Sequence, residues 1–149
     1  NSNNSIKNKY TQLNNLDLSE DKVKKATEFY TIEHYDNGVD GLTDWCVKYV
    51  LTDTKGKIHY ICTDKNRRNF VYRDTDGKIV NDEQAKKLKS IIKPLLEFKT
   101  KNYKKLKYNE LADIDDDENE ITENIAKIHN ENKEFGLLFE KSLIDKINI

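Results

Sequence analysis

The feature that most restricts this chain is a change of hydrophobic period in its middle. Up to His34 apolar residues recur at helical spacing; from Trp45 onward they alternate, and two Asp/Gly turns cut the run into short pieces. Those turns are Asp53-Thr54-Lys55-Gly56 and Asp74-Thr75-Asp76-Gly77. Glycine takes the left-handed conformation that closes a hairpin, and Asp supplies a local acceptor for turn amides. Strands are expected at 45–52, 57–63, 69–73 and 78–80. In the first, Trp45, Val47, Tyr49 and Leu51 alternate with Cys46, Lys48, Val50 and Thr52. The result is a small antiparallel meander of about four strands.

Helical spacing brackets the meander. Asp17-Leu18-Ser19-Glu20 reads as a capping box. Val23, Ala26, Tyr30 and His34, widened by Phe29 and Ile32, then predict a helix over 18–35, stopped by Asn37-Gly38. Asn81 or Asp82 is expected to cap a long helix carrying Ala85, Leu88, Ile92 and Leu95 on one stripe. Ile91 and Leu96 join it, and Tyr103 and Leu106 extend it. Pro94 inside it is expected to kink or break it near 90–93. A third helix follows from Ile121, Ile125, Ile128, Phe135, Leu138, Phe139, Ile144 and Ile147. Asn132 interrupts that stripe, and Gly136 weakens it by roughly 1 kcal/mol against Ala. No internal repeat is evident.

The fold class expected is therefore α+β: a small antiparallel meander packed against a long kinked helix, with flanking N- and C-terminal helices. The sheet face of Trp45, Val47, Tyr49 and Leu51 should pack on Leu88, Ile92 and Leu95. The chain divides into a polar flexible lead (1–16), an α+β core (17–112), and an acidic linker with a C-terminal helix (113–149).

Composition sharpens what is excluded. The 149 residues are 36% charged and 36% hydrophobic, with 26 basic and 27 acidic side chains. Near-cancelling charge keeps the chain away from the disorder limit and gives no global pull toward nucleic acid. No apolar run approaches the ~18 residues of a membrane span, so no membrane is expected as a partner. The start is polar, with no apolar segment of a secretory leader. Two cysteines, Cys46 and Cys62, make no disulfide framework, so a reducing, intracellular setting is expected. Met is absent altogether, which reads as a trimmed or processed chain. A modest core favours an oligomer. Asn, Lys and Ile together supply 54 residues, all served by A/T-rich codons, which weakens any functional reading of lysine number.

Charge is uneven. Residues 82–112 hold nine Lys against four acids; residues 113–149 hold four Lys against eleven acids. The simplest expectation is that these two helices pack antiparallel with complementary charge. A basic nucleic-acid face is the alternative.

All three arginines lie in the stretch from Tyr60 to Arg73. In a lysine-biased chain, keeping Arg suggests a need for a planar, stackable cation. Lys65, Arg67, Arg68 and Arg73, with Tyr60 and Tyr72, form a candidate basic-aromatic patch for DNA or RNA. The competing reading is that Arg68 and Arg73 clamp Asp64, Asp74 or Asp76 and fix the meander. Other chemistry is weaker. Asp53-Thr54-Lys55 has the D-x-K form of metal-dependent nucleases, with Asp40 or Asp44 as a second carboxylate; it also reads simply as a hairpin turn. Cys46, Cys62 and His59 have no zinc-ligand spacing, and alternation puts His59 and Cys62 on opposite faces. Asp113-x-Asp115-x-Asp117 opens like a calcium loop, but Glu118 stands where Gly is needed and Asn124 where the bidentate Glu belongs. No nucleophile motif and no phosphate-cradling Gly loop is present. No metal, cofactor or catalytic residue is expected.

Cys62, Asp64, Lys65, Arg67, Arg68, Phe70, Tyr72, Asp76, Gly77 and Asp82 make up a cysteine, a DKxRRxFxY core, an Asp-Gly turn and the start of a helix. In this the chain resembles a domain, without an assigned activity, found in proteins of giant DNA viruses of the mimivirus group and of some phages. The resemblance spans about residues 25–106. It implies a viral source and a module lying downstream of a zinc finger and a coiled coil, and it supplies no catalytic residue. The leading expectation is a non-enzymatic viral module for oligomerisation or partner binding, within a nucleic-acid-associated protein, acting in host cytoplasm or virion. The alternatives are direct DNA/RNA binding through the basic-aromatic patch and a Mg²⁺-dependent nuclease.

Overall fold

The computed structural model describes residues 13–111 and 118–147. They form an α+β fold of six α-helices and a three-stranded antiparallel sheet. The helices are α1 (Glu20–Ala26), α2 (Ile32–Asp36), α3 (Gly38–Trp45), α4 (Lys86–Leu111), α5 (Glu118–Glu134) and α6 (Leu137–Ile147). The strands are β1 (Ile61–Asp64), β2 (Asn69–Arg73) and β3 (Ile79–Glu83), in sheet order β1-β2-β3.

The expected first strand, 45–52, is helical. α3 runs straight into a widened turn over Cys46–Val50, closed by Leu51 N–H donating to Cys46 O at 3.0 Å. The donor lies five residues beyond its acceptor, the mark of a π turn. Leu42, Trp45, Cys46 and Val50 are all buried. Their spacing fits a helix as well as alternation fits a strand, and burial on the helical set prevails over the β-branched and aromatic composition. Trp45 is anchored by its indole N–H, which donates to Ala26 O at 2.8 Å. The meander therefore has three strands, not four. Residues 57–60, expected in the second strand, contribute an isolated Thr52–Ile58 bridge before β1 begins.

The two turns of the middle region share a sequence, Asp-Thr-x-Gly-Lys-Ile, and one hydrogen-bond pattern. Asp53 N–H donates to Lys57 O and Gly56 N–H to Asp53 O; Asp74 with Lys78, and Gly77 with Asp74, repeat this. Asp53 Oδ1 accepts from the amides of Lys55 and Lys57, and Asp74 Oδ1 from those of Asp76 and Lys78. Gly56 and Gly77 both have φ 83°. This six-residue repeat corrects the expectation that the chain has no internal repeat; it is a turn module in which Asp and Gly serve the backbone.

The expected helix over 18–35 is divided. Ser19, not Asp17, is the N-cap of α1. Asp17 instead accepts the Ser19 amide at 2.9 Å, which lowers its pKa. A 3₁₀ turn (Thr27–Phe29) and the extended Tyr30 end α1, and Thr31 caps α2 in a reciprocal box with His34. α4 donates to the carbonyls at the break, of which Thr27 O also closes the 3₁₀ turn by accepting Tyr30 N–H at 3.1 Å. Lys99 Nζ donates to Thr27 O and Tyr30 O, and Tyr103 Oη donates to Tyr30 O at 2.7 Å.

α4 continues unbroken through Pro94. Pro94 and Ser90, whose carbonyl loses its donor, are both exposed, so water can take that bond. Asp82 caps the helix from the end of β3: Oδ1 accepts Lys87 N–H (2.8 Å) and Oδ2 accepts Leu88 N–H (3.1 Å) and the Tyr60 hydroxyl (3.0 Å). The expected third helix is two helices. Phe135 adopts φ 50°, ends α5 and lets α6 turn back, with its ring 5.1 Å from Phe139.

One core joins Leu16, α1, α3, the sheet, α4 and α6, with Tyr30, Trp45, Phe70, Leu88, Ile92, Phe139 and Leu143 at its centre. Leu13 and Leu16, at the end of the segment read as a lead, are buried, and Leu16 N–H donates to Arg73 O at 2.7 Å. Among the described residues no ion pair joins α4 to α5; Lys89 of α4 pairs instead with Glu140 of α6 at 2.9 Å. Also among them, no helix is long and apolar enough to cross a membrane.

Candidate functional site

The basic-aromatic stretch does not assemble into one open patch. Tyr60 is fully buried, stacked on Phe70 at 5.0 Å, with its hydroxyl on Asp82. Burial and the neighbouring Asp82 carboxylate push its pKa well up. Tyr72 is also buried. Neither ring offers a face to a base. Arg73 ends β2, the central strand, donating from Nε to Leu13 O (3.0 Å) and from a terminal nitrogen to Gly77 O (2.8 Å). Arg68 has φ 56° at the end of the β1–β2 turn, a backbone position that favours glycine. Its Nε donates at 2.9 Å to Glu140, which also holds Lys89 at 2.9 Å. Glu140 is 5% exposed. A buried carboxylate between two cations ties the β1–β2 turn, α4 and α6 together. Lys65 and Arg67 are exposed at that turn, with Arg67 3.8 Å from Asp64.

The carboxylates of the nuclease reading are dispersed. Asp53 belongs to the first turn module, and its Oδ2 faces His59 Nε2 at 2.8 Å. That bond and the Lys57 amide hold its pKa down at about 2. Asp40 and Asp44 both accept from Lys146, at 2.8 and 2.6 Å. Lys55 is exposed on the turn. Cys46 is buried, which raises its thiol pKa, and His59 is held by Asp53 and by the Asn14 amide. No group of three or more His, Cys, Asp or Glu suited to a metal occurs among the described residues. The calcium-like Asp113, Asp115 and Asp117 lie outside those residues.

Two features were not singled out by spacing. The first is on α4. Its buried face carries Leu88, Ile92, Leu96 and Thr100. A neighbouring stripe, Ile91, Leu95, Phe98 and Leu106, is left uncovered: Ile91 and Leu95 are half-buried, Phe98 is 76% exposed and Leu106 50%. Steps of four, three and eight residues keep these on one face. Leu18, Pro94 and the stripe's first two members line a depression of about 270 Å³, with Glu20 at its edge. Exposed Lys87 and Lys105 flank the stripe. The signal in the sequence is Phe98, an apolar residue outside the predicted core stripe.

The second is a buried polar network between Tyr30, α2 and α5. Tyr30 Oη donates to Asn132 Oδ1 at 2.5 Å, and Asn132 Nδ2 donates to Tyr35 O and Ile128 O. The Tyr35 hydroxyl lies 3.0 Å from His129 Nδ1. Asn132, the residue that interrupts the expected stripe, is thus the junction between α5 and the aromatic core. No protein-family model, curated protein or solved structure matches this chain.

Proposed function

We propose that this domain is a non-enzymatic binding module and that the uncovered stripe of α4 is its docking surface. The observation that carries the reading is Phe98, 76% exposed beside Leu95 and Leu106 on an ordered helix. Contiguous apolar surface on a helix that already has a covered face marks an interaction site. The flanking lysines favour a partner of opposite charge, an acidic amphipathic helix laid along the stripe. The DKxRRxFxY resemblance supports a place for such a module in a viral protein, alongside nucleic-acid-handling parts of the same polypeptide.

The test is a synthetic peptide helix with leucines on one face and glutamates elsewhere, titrated by fluorescence anisotropy, with a scrambled peptide as control. Burying Phe98 contributes about 1.5–3 kcal/mol, so Phe98→Asp should weaken binding at least tenfold while leaving the fold intact. Undetectable peptide binding, or binding indifferent to Phe98→Asp, overturns the reading. Light scattering on the same samples identifies the rival occupant: a dimer abolished by Phe98→Asp would assign the stripe to a second copy. Salt-sensitive binding of duplex DNA, lost in Lys65→Ala with Arg67→Ala, would replace this reading with nucleic-acid recognition.

A further inference from the structure

Away from the stripe, α4 and α5 enclose a pocket of about 220 Å³. Leu96 and Phe135, both buried, make its apolar wall. Lys93 and Lys101 of α4 and Lys133 of α5, all three exposed, line its rim. Among the described residues the carboxylate lining it is Glu97, which is exposed and bonded to Lys101 at 3.0 Å. His129, 8% exposed, stands in the wall. The Tyr35 hydroxyl lies 3.0 Å from Nδ1; in the tautomer that accepts there, Nε2 carries the proton and is a donor for a ligand. Burial lowers the His129 pKa, and the charges of Lys104, Lys133 and Lys101 lower it further.

We propose that this pocket binds a phosphate group, with Lys93, Lys101 and Lys133 surrounding its oxygens. Three movable point charges suit a compact, multiply charged oxyanion, whereas a planar carboxylate is better met by an arginine fork. The chain's arginines are elsewhere, in the β1–β2 turn and at the end of β2. The volume lies below the ~300–1,000 Å³ of drug-sized sites. It admits phosphate or a phosphomonoester with a short organic end against Leu96 and Phe135, and excludes a whole nucleotide.

The experiment is a titration of the full chain with inorganic phosphate and with glycerol phosphate at constant ionic strength set by chloride. Histidine ring resonances are followed by NMR, with His129→Gln assigning the signal. Phosphate should shift the His129 resonances saturably and raise that ring's titration midpoint, leaving His34 and His59 unmoved. Lys93→Gln with Lys133→Gln should weaken binding at least tenfold. Trp45 emission, checked without ligand, shows that this variant is folded. Tighter binding of glycerol phosphate would assign the site to phosphomonoesters, and equal binding to the free anion. Shifts that never saturate, that chloride reproduces, or that persist in the double variant overturn the proposal.

Discussion

Replacing Arg68 by alanine and, separately, by glycine should destabilise the domain by unequal amounts, because the residue combines a strained backbone with a buried ion pair. Its φ of 56° is left-handed, which costs an L-residue about 1 kcal/mol or more. Its guanidinium meets Glu140 at 2.9 Å, where the side chains are 27% and 6% exposed. A hydrogen bond between charged groups contributes about 1.5–3 kcal/mol. Glu140 keeps Lys89 at 2.9 Å, so the loss stays below the ~3–5 kcal/mol of an orphaned buried charge. Arg68→Ala, which loses the bond and keeps the strain, should cost about 2 kcal/mol. Arg68→Gly releases the strain and should cost about 1 kcal/mol. Glu140→Ala removes both ion pairs but leaves two cations that water can reach, for about 2–4 kcal/mol. In a double-mutant cycle the Arg68–Glu140 coupling should be about 1–2 kcal/mol. Urea unfolding followed by Trp45 reads each value, since it is the chain's single tryptophan and is fully buried. Arg68→Ala within about 0.3 kcal/mol of the parent, or no coupling within that margin, refutes the clamp. Arginine would then be held at a glycine-favouring position without structural return, and a ligand role would be the better account.

The remaining tests use the same unfolding assay. Asp82→Ala removes the acceptor of two α4 amides and of the buried Tyr60 hydroxyl, and should cost about 2–3 kcal/mol, a large part of which Asp82→Asn should recover. A Cβ on Gly41 would collide with the His34 carbonyl oxygen, backbone against backbone, so Gly41→Ala should cost more than about 2 kcal/mol. Gly136→Ala, with nothing within 4 Å of the added carbon, should shift stability by less than about 1 kcal/mol. Asp53 has a folded pKa depressed to about 2, so its contribution is present above the unfolded carboxylate pKa and is lost as pH falls from about 4 through about 2. Asp53→Asn should therefore flatten the stability profile in that window; an unchanged acid limb would show that the His59 and turn bonds do not couple to folding.

Local rules carried the two turns and the Asp82 cap because their causes are local, though they misplaced the first cap at Asp17 instead of Ser19. Asp53 with Gly56, Asp74 with Gly77, and Asp82 ahead of Lys86 act within six residues of themselves, so their roles are visible in a linear string. The first expected strand failed for the converse reason. Leu42, Trp45, Cys46, Tyr49 and Val50 satisfy a helical period, while Trp45, Val47, Tyr49 and Leu51 satisfy an alternating one. Only tertiary contacts, such as Trp45 on Ala26, decide between them. The break at Tyr30 is likewise fixed from a distance, by Lys99 and Tyr103 on α4 donating to the Tyr30 carbonyl.

The same limit governs the candidate sites. Arg68 was legible as a residue that needs an acid, but Asp64, Asp74 and Asp76 are near in sequence and Glu140 is 72 positions away. Tyr60 and Tyr72 carry the composition of a stacking surface, yet hydrophobicity gives an aromatic ring on a central sheet a stronger claim to the interior than to a base. On α4 the difficulty is subtler. Leu88, Ile92 and Leu96 form one stripe, and Ile91, Leu95 and Phe98 form another about a quarter-turn away. Periodicity merged Ile91 and Leu95 with the first stripe, left out Phe98, and cannot say which part neighbouring elements cover. In this fold the sheet, α1 and α3 share the core with the first stripe, and the second keeps Phe98 in water. An uncovered aromatic on the helix that supplies much of the core adds nothing to the packing of this fold, and that is why the proposal above gives it to a partner.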